Sequence, residues 1–173
     1  MPFTPFHLGP ALVIGIIFIY YVDFPTLLVA SIILDIEPFL VLLLDLNYPL
    51  HGLFHSFLGG TIIILPLSVI MFKIRTFMNP ITNFFKIEQN SSFMNILAAS
   101  IIGIYLHILL DAPLYSDIQP FFPLNFNPFL NTSGLVGITT NFFCAYCFLA
   151  AIILYFIHLA IKFKNKNKNN KNI

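Results

Sequence analysis

His107 and Asp111 stand four residues apart in GIYLHILLDAPLYSD, residues 103–117, and His51 and His55 repeat that spacing in HGLFHSF. Residues i and i+4 project from one face of a helix, so each pair predicts a two-ligand pincer for a cation. Asp35 and Glu37 in LDIEPF add two carboxylates, and His7 in TPFHLG adds a further imidazole. Ionisable groups in apolar segments cost about 2.5–3.5 kcal/mol each near a helix centre, so they are as a rule paired and functional. A cluster of imidazoles and carboxylates needs a partner that none of its members supplies, and a divalent cation is such a partner. Mixed nitrogen and oxygen ligands suit zinc above all, with manganese or iron also compatible, and pairs of ions are common in phosphoester hydrolysis. His7, Asp35, Glu37, His51, His55, His107 and Asp111 are the candidate ligands, enough for one or two ions with positions left for water and substrate. Glu37 is also a candidate general base, and Asp117 a candidate for orienting substrate or a ligand histidine.

These side chains must be positioned by membrane-spanning elements. Of the 173 residues, 58% are hydrophobic and 9% charged, which excludes an ordinary soluble domain. Apolar runs fall near residues 6–22, 25–44, 52–72, 93–113 and 141–162. A span needs roughly 17–25 residues, so the expected fold is an all-α, polytopic bundle of about five transmembrane helices over residues 1–163. The first run lacks a basic leader region and a small-residue cleavage site, so it is expected to persist as a helix. Pro38 predicts a kink just after Asp35 and Glu37.

All eight Lys and Arg lie in two regions, Lys73 to Lys86 and Lys162 to Lys171. The positive-inside rule makes both cytoplasmic and puts the N-terminus outside, in a multi-pass cell-membrane protein. Every candidate ligand then falls at the outer face, although none entered that rule. The segment 112–141 is rich in Pro and aromatics with no Lys or Arg, and is expected to cap the outer end of the bundle. The tail 164–173 is Lys/Asn-rich and is expected to be disordered, held near anionic headgroups, with no nucleic-acid partner. Cys144 and Cys147 are read as packing residues, and His158 as an interfacial one.

The set LDIEPF, HGLFHSF and HILLDAPLYSDIQPFFPL resembles the membrane-bound metal-dependent hydrolase family, whose members carry motifs like PDID, HRGxTHS and HxxxD followed by an aromatic-Pro loop. The likeness covers most of residues 3–124. It implies that Asp35, His51, His55, His107 and Asp111 are metal ligands, and it matches His7 to an N-terminal histidine that recurs in the family. Leu34 and Glu37 depart from the first motif, and the Arg after the first His of the second is absent. The order of ligands also looks like the first half of the zinc-dependent phospholipase C and P1-nuclease pattern, whose second half is missing here. The resulting expectation is a membrane-embedded hydrolase acting on a phosphoester of a lipid or lipid-linked substrate. The alternatives are an ion-coupled transporter or channel subunit using Asp35 and Glu37, and a non-catalytic structural subunit.

Overall fold

A computed structural model describes residues 4–170, which form six α-helices and no strand. These are α1 (Leu8–Ile17), α2 (Phe24–Ala30), α3 (Ile36–Leu43), α4 (Phe57–Phe84), α5 (Phe93–Asp111) and α6 (Leu135–Asn170). Four helical stretches are long and apolar enough to cross a membrane: Phe24–Leu43, made of α2 and α3, then α4, α5 and Leu135–Asn165 of α6.

Among the described residues the first apolar run falls short of that length. Its helical part is Pro5–Ile17, about 20 Å at 1.5 Å per residue, against a hydrocarbon core of about 30 Å. The cause lies in the turn that follows. Asp23 caps α2, accepting from Thr26 N–H at 3.0 Å, with Pro25 in the first turn, so the chain must leave α1 before it. Carbonyls freed by that exit are taken by side chains from elsewhere: Gln89 Nε2 donates to Ile19 O and, at 2.7 Å, to Val22 O, and Asn95 Nδ2 donates to Tyr21 O at 2.7 Å. Gly9 lets α1 lie directly on α6, where a Cβ would stand 2.5 Å from Cys144 O. Cys144 itself is a buried packing residue.

The second run breaks earlier than Pro38 predicts. α2 ends at Ala30, residues Ile33–Asp35 form a 3-10 turn, and Pro38 sits inside the first turn of α3, where its missing N–H costs nothing. At the far end, α6 continues through Asn170 into the segment whose composition predicts disorder. Once a helix is nucleated each added residue gains a hydrogen bond, so a long apolar helix carries its polar extension with it. The last residues, Lys171 onward, lie outside the described residues.

The core joins α2, α4 and α5 through Ala30, Leu34, Ile64, Leu67, Met71, Ile96, Ile104 and Ile108. Gly103 sets the distance between α2 and α5: an added Cβ would lie 2.5 Å from Ala30 Cβ and 2.9 Å from Leu27 O. Backbone cannot step aside as a side chain can, so Gly103→Ala must spread the helices despite its better helix propensity. The expected loss is about 1–3 kcal/mol, read as a lowered unfolding midpoint of the detergent-solubilised protein.

Direction then places the chemistry. α1 begins beside His7, α4 begins two residues after His55, α5 ends at Asp111, and the segment 112–134 follows at the same end. Asp23, Arg75, Gln89 and Lys162 gather at the other.

Candidate metal centre

His107 and Asp111 lie on the regular last turns of α5 and are buried, facing each other with His107 Nε2 3.4 Å from Asp111 Oδ2. His7, from the 3-10 turn ahead of α1, stacks on His107 with ring centroids 4.1 Å apart and brings its Nε2 to 3.3 Å from Asp111 Oδ1. Asp35 arrives from the break between α2 and α3, its Oδ1 3.7 Å from His107 Nε2.

His51 and His55 do not form a helical pincer. They flank a 3-10 turn, Leu53–His55, because Ser56 is extended at φ −113°, ψ 157° and caps α4 by accepting from Gly59 N–H at 3.0 Å. The helix therefore starts only after both histidines. Their rings nevertheless meet edge to face at 4.8 Å, inside the same cluster.

The ring nitrogens are the most informative atoms. His107 Nδ1 donates at 2.8 Å to Ser31 O, a carbonyl that the end of α2 leaves free. A carbonyl only accepts, so Nδ1 carries a hydrogen, and in the neutral ring Nε2 is the nitrogen left to accept or coordinate. His55 Nδ1 lies 2.8 Å from Glu37 Oε2, on a carboxyl group whose other oxygen accepts from Phe54 N–H at 3.2 Å. His51 Nδ1 lies 3.1 Å from both oxygens of Asp117, and His51 N–H donates to the same group at 3.1 Å. Three histidines thus have Nδ1 held from behind, which turns Nε2 into the centre. His55 Nε2 and His107 Nε2 then face each other at 3.3 Å. Burial also pushes the His55 imidazole below its usual pKa, although the Glu37 bond opposes this, so it is neutral at pH 7.

Two groups of side chains have ligand atoms close enough to hold an ion: His7, Asp35, His107 and Asp111, and His51, His55 and Asp111. Asp111 belongs to both. Ions bound at about 2.0–2.1 Å in a tetrahedron have ligands about 3.3–3.4 Å apart, which is the spacing seen for His7–Asp111 and His107–Asp111. Asp111 Oδ1 and Asp35 Oδ2 are buried with no hydrogen-bond partner among the described residues. Buried carboxylate oxygens left in that condition are costly, and a cation removes the cost.

The structure therefore brings six of the candidate ligands together and sets Glu37 and Asp117 one step back, behind His55 and His51. Two participants were not singled out from the sequence. Ser31 acts through its backbone, which no side-chain motif reveals. Tyr115 stacks on His51 at 4.2 Å, with its hydroxyl buried and unpartnered, and burial raises its pKa. The segment after α5 is tied to the site at Tyr115 and Asp117, and Pro120 O accepts from Phe57 N–H at 2.9 Å. Comparison of the chain with models of known protein families, with curated proteins and with solved structures finds no match.

Proposed function

We propose that the protein is a membrane-embedded, metal-dependent hydrolase acting on a phosphoester of a lipid or lipid-linked substrate. In this reading His7, Asp35, His107 and Asp111 hold one divalent cation, and His51, His55 and Asp111 a second. Zinc fits the imidazole and carboxylate set best. The observation that carries the reading is the pair of Nε2 atoms, one from each candidate group, converging at 3.3 Å while both Nδ1 atoms are engaged behind them. With Nδ1 engaged behind it, each of these nitrogens is turned toward its own candidate group, where a cation would take it as a ligand.

Divalent ions so placed activate water as a nucleophile and offset charge on a phosphoryl oxygen. The chain's own part is to orient and to exclude. Glu37 and Asp117 lock His55 and His51 in the Nδ1–H tautomer. Tyr115 closes the centre over His51, its hydroxyl free to donate to a substrate oxygen. Exposed apolar residues surround this end, including Phe39, Leu42 and Leu43 of α3 and Phe121, Leu124 and Phe126 beyond α5, which supports a substrate presented from the bilayer. Asp35 and Glu37 belong to different parts of the cluster, so they do not make the shared acidic ion site a transporter would use. The Lys-rich end lies opposite, and the positive-inside rule then places the centre at the outer face, with the C-terminus cytoplasmic.

Elemental analysis of detergent-purified protein, combined with turnover of a model phosphodiester, tests the proposal. Wild type is expected to carry divalent metal, and Glu37→Gln to weaken its binding by about 10–100-fold, as loss of a ligand's supporting carboxylate does. If Glu37 were instead a proton acceptor alone, turnover would fall with metal binding intact. Wild type carrying no more metal than the His107→Ala Asp111→Ala double variant would overturn the proposal.

A further inference from the structure

At the end of the bundle opposite the histidine cluster, a cavity of about 570 Å³ opens between the exit of α1, the connection from α4 to α5, and α6. Its wall includes Lys86, Glu88, Asn90, His158 and Lys162. Lys162 Nζ lies 2.8 Å from Glu88 and donates to Lys86 O at 2.9 Å, while the Lys86 ammonium enters no ion pair among the described residues. His158 Nε2 is buried and without a hydrogen-bond partner among the described residues. Two lysines therefore face one carboxylate, beside an imidazole nitrogen with nothing to bind.

A second cavity, of about 680 Å³, lies about one turn further along, bounded by Leu12 and Ile16 of α1, Phe85 and Ile87 of the connection, Ile152 and Tyr155 of α6, and also by α2 at Leu28 and α4 at Met78. Both volumes fall within the roughly 300–1,000 Å³ of ligand sites. The hydroxyls in the second wall are already used, Tyr155 donating to Phe85 O at 2.8 Å and Thr82 to Asn79 O at 3.1 Å. Nothing in it can serve a polar ligand.

We infer that the two cavities form one slot for an anionic phospholipid, with the headgroup phosphate against Lys86, His158 and Lys162 and an acyl chain along Ile16, Phe85 and Ile152. The order of the walls is that of an amphiphile entering from a bilayer, and the excess of lysine selects for negative charge. Free phosphate would use only the first cavity. Asn95, beside the slot, and Asp111 are 16 residues apart on α5, roughly 24 Å, so this lipid is not the one presented to the metal centre.

Native mass spectrometry of the full chain, after incubation with equimolar phosphatidylglycerol and phosphatidylcholine, tests the inference. Retention of phosphatidylglycerol is expected to exceed that of phosphatidylcholine by about fivefold for each unmatched charge. Lys86→Gln combined with His158→Gln should abolish the preference, and Glu88→Gln should strengthen it. Ile152→Trp, which fills the slot, should lose both lipids, while Ile153→Trp, on the neighbouring position outside the cavity wall, should lose neither. Equal retention by Ile152→Trp and Ile153→Trp would mean annular lipid only and would overturn the inference. So would an unchanged preference in the Lys86 and His158 variant, or full displacement of the lipid by inorganic phosphate.

Discussion

Asp111→Asn is expected to empty both halves of the centre, whereas His51→Ala empties only one. The asymmetry follows from geometry. Asp111 Oδ1 faces His7 at 3.3 Å and Oδ2 faces His107 at 3.4 Å, and the residue completes both candidate groups, while His51 serves a single group. An amide offers one weaker acceptor and turns a donor toward the other ligand, so two sites are spoiled by one neutral, nearly isosteric change. The loss of metal affinity should exceed the about 100-fold that removal of a supporting group produces, and turnover should follow it. A purely structural Asp111 would behave differently. It would cost stability by about 1–3 kcal/mol as a lost buried hydrogen-bond acceptor, and to the same extent with or without chelator. As a ligand, Asp111 ties stability to metal: a ligand at about 100 times its Kd stabilises by about 2.7 kcal/mol, which chelation should remove from wild type and not from Asp111→Asn. Unfolding midpoints of the two proteins, with and without chelator, decide between these outcomes.

Legibility of the site in the sequence tracked how local each determinant is. His107 and Asp111 sit on an uninterrupted helix, so their spacing alone placed them on one face. His51 and His55 share the spacing but not the helix. Ser56, three residues before Gly59 and followed by a long apolar run, is the helix-start signal that would have shown α4 beginning after them. The break before Asp35 was visible only as a proline, and its true position depends on Ser31 O accepting from a histidine 76 residues away. The membrane class was legible from composition, and the four long helices from their apolar runs. The short first helix was not, because hydropathy cannot distinguish a helix from a turn whose carbonyls are satisfied by Gln89 and Asn95, some 70 residues downstream. Asp23 is signalled only by the capping sequence Asp-Phe-Pro-Thr, and in sequence Arg75 is one more cation of the region Lys73 to Lys86.

Those last two residues carry the second large effect. Arg75 lies within α4, inside a stretch fit to cross a membrane, and its Nε donates at 2.6 Å to Asp23 Oδ2, a fully buried carboxylate. The rest of the guanidinium is also used, with donations to Asn79 Oδ1 at 3.0 Å and Gln89 O at 3.2 Å. Asp23 Oδ1 meanwhile accepts from the backbone and hydroxyl of Thr26, so one carboxylate joins α2 to α4 and caps α2 at once. Removing one member of a buried pair leaves the other charge uncompensated, at a cost of about 3–5 kcal/mol. Arg75→Met is therefore expected to lower stability by that amount, and Arg75→Lys by less, because an ammonium retains the charge but not the fork that reaches Asn79 and Gln89. The Asp23→Asn Arg75→Met double variant should recover most of the loss, since Asn keeps an oxygen for the Thr26 cap while both charges are gone. Denaturant or thermal unfolding of wild type, Asp23→Asn, Arg75→Met and the double variant, each metal-loaded, measures the coupling as a double-mutant cycle. A strictly additive cycle would show that the pair contributes no interaction of its own. Metal content should be unchanged across the folded variants, because the pair acts at the end of the bundle away from the centre.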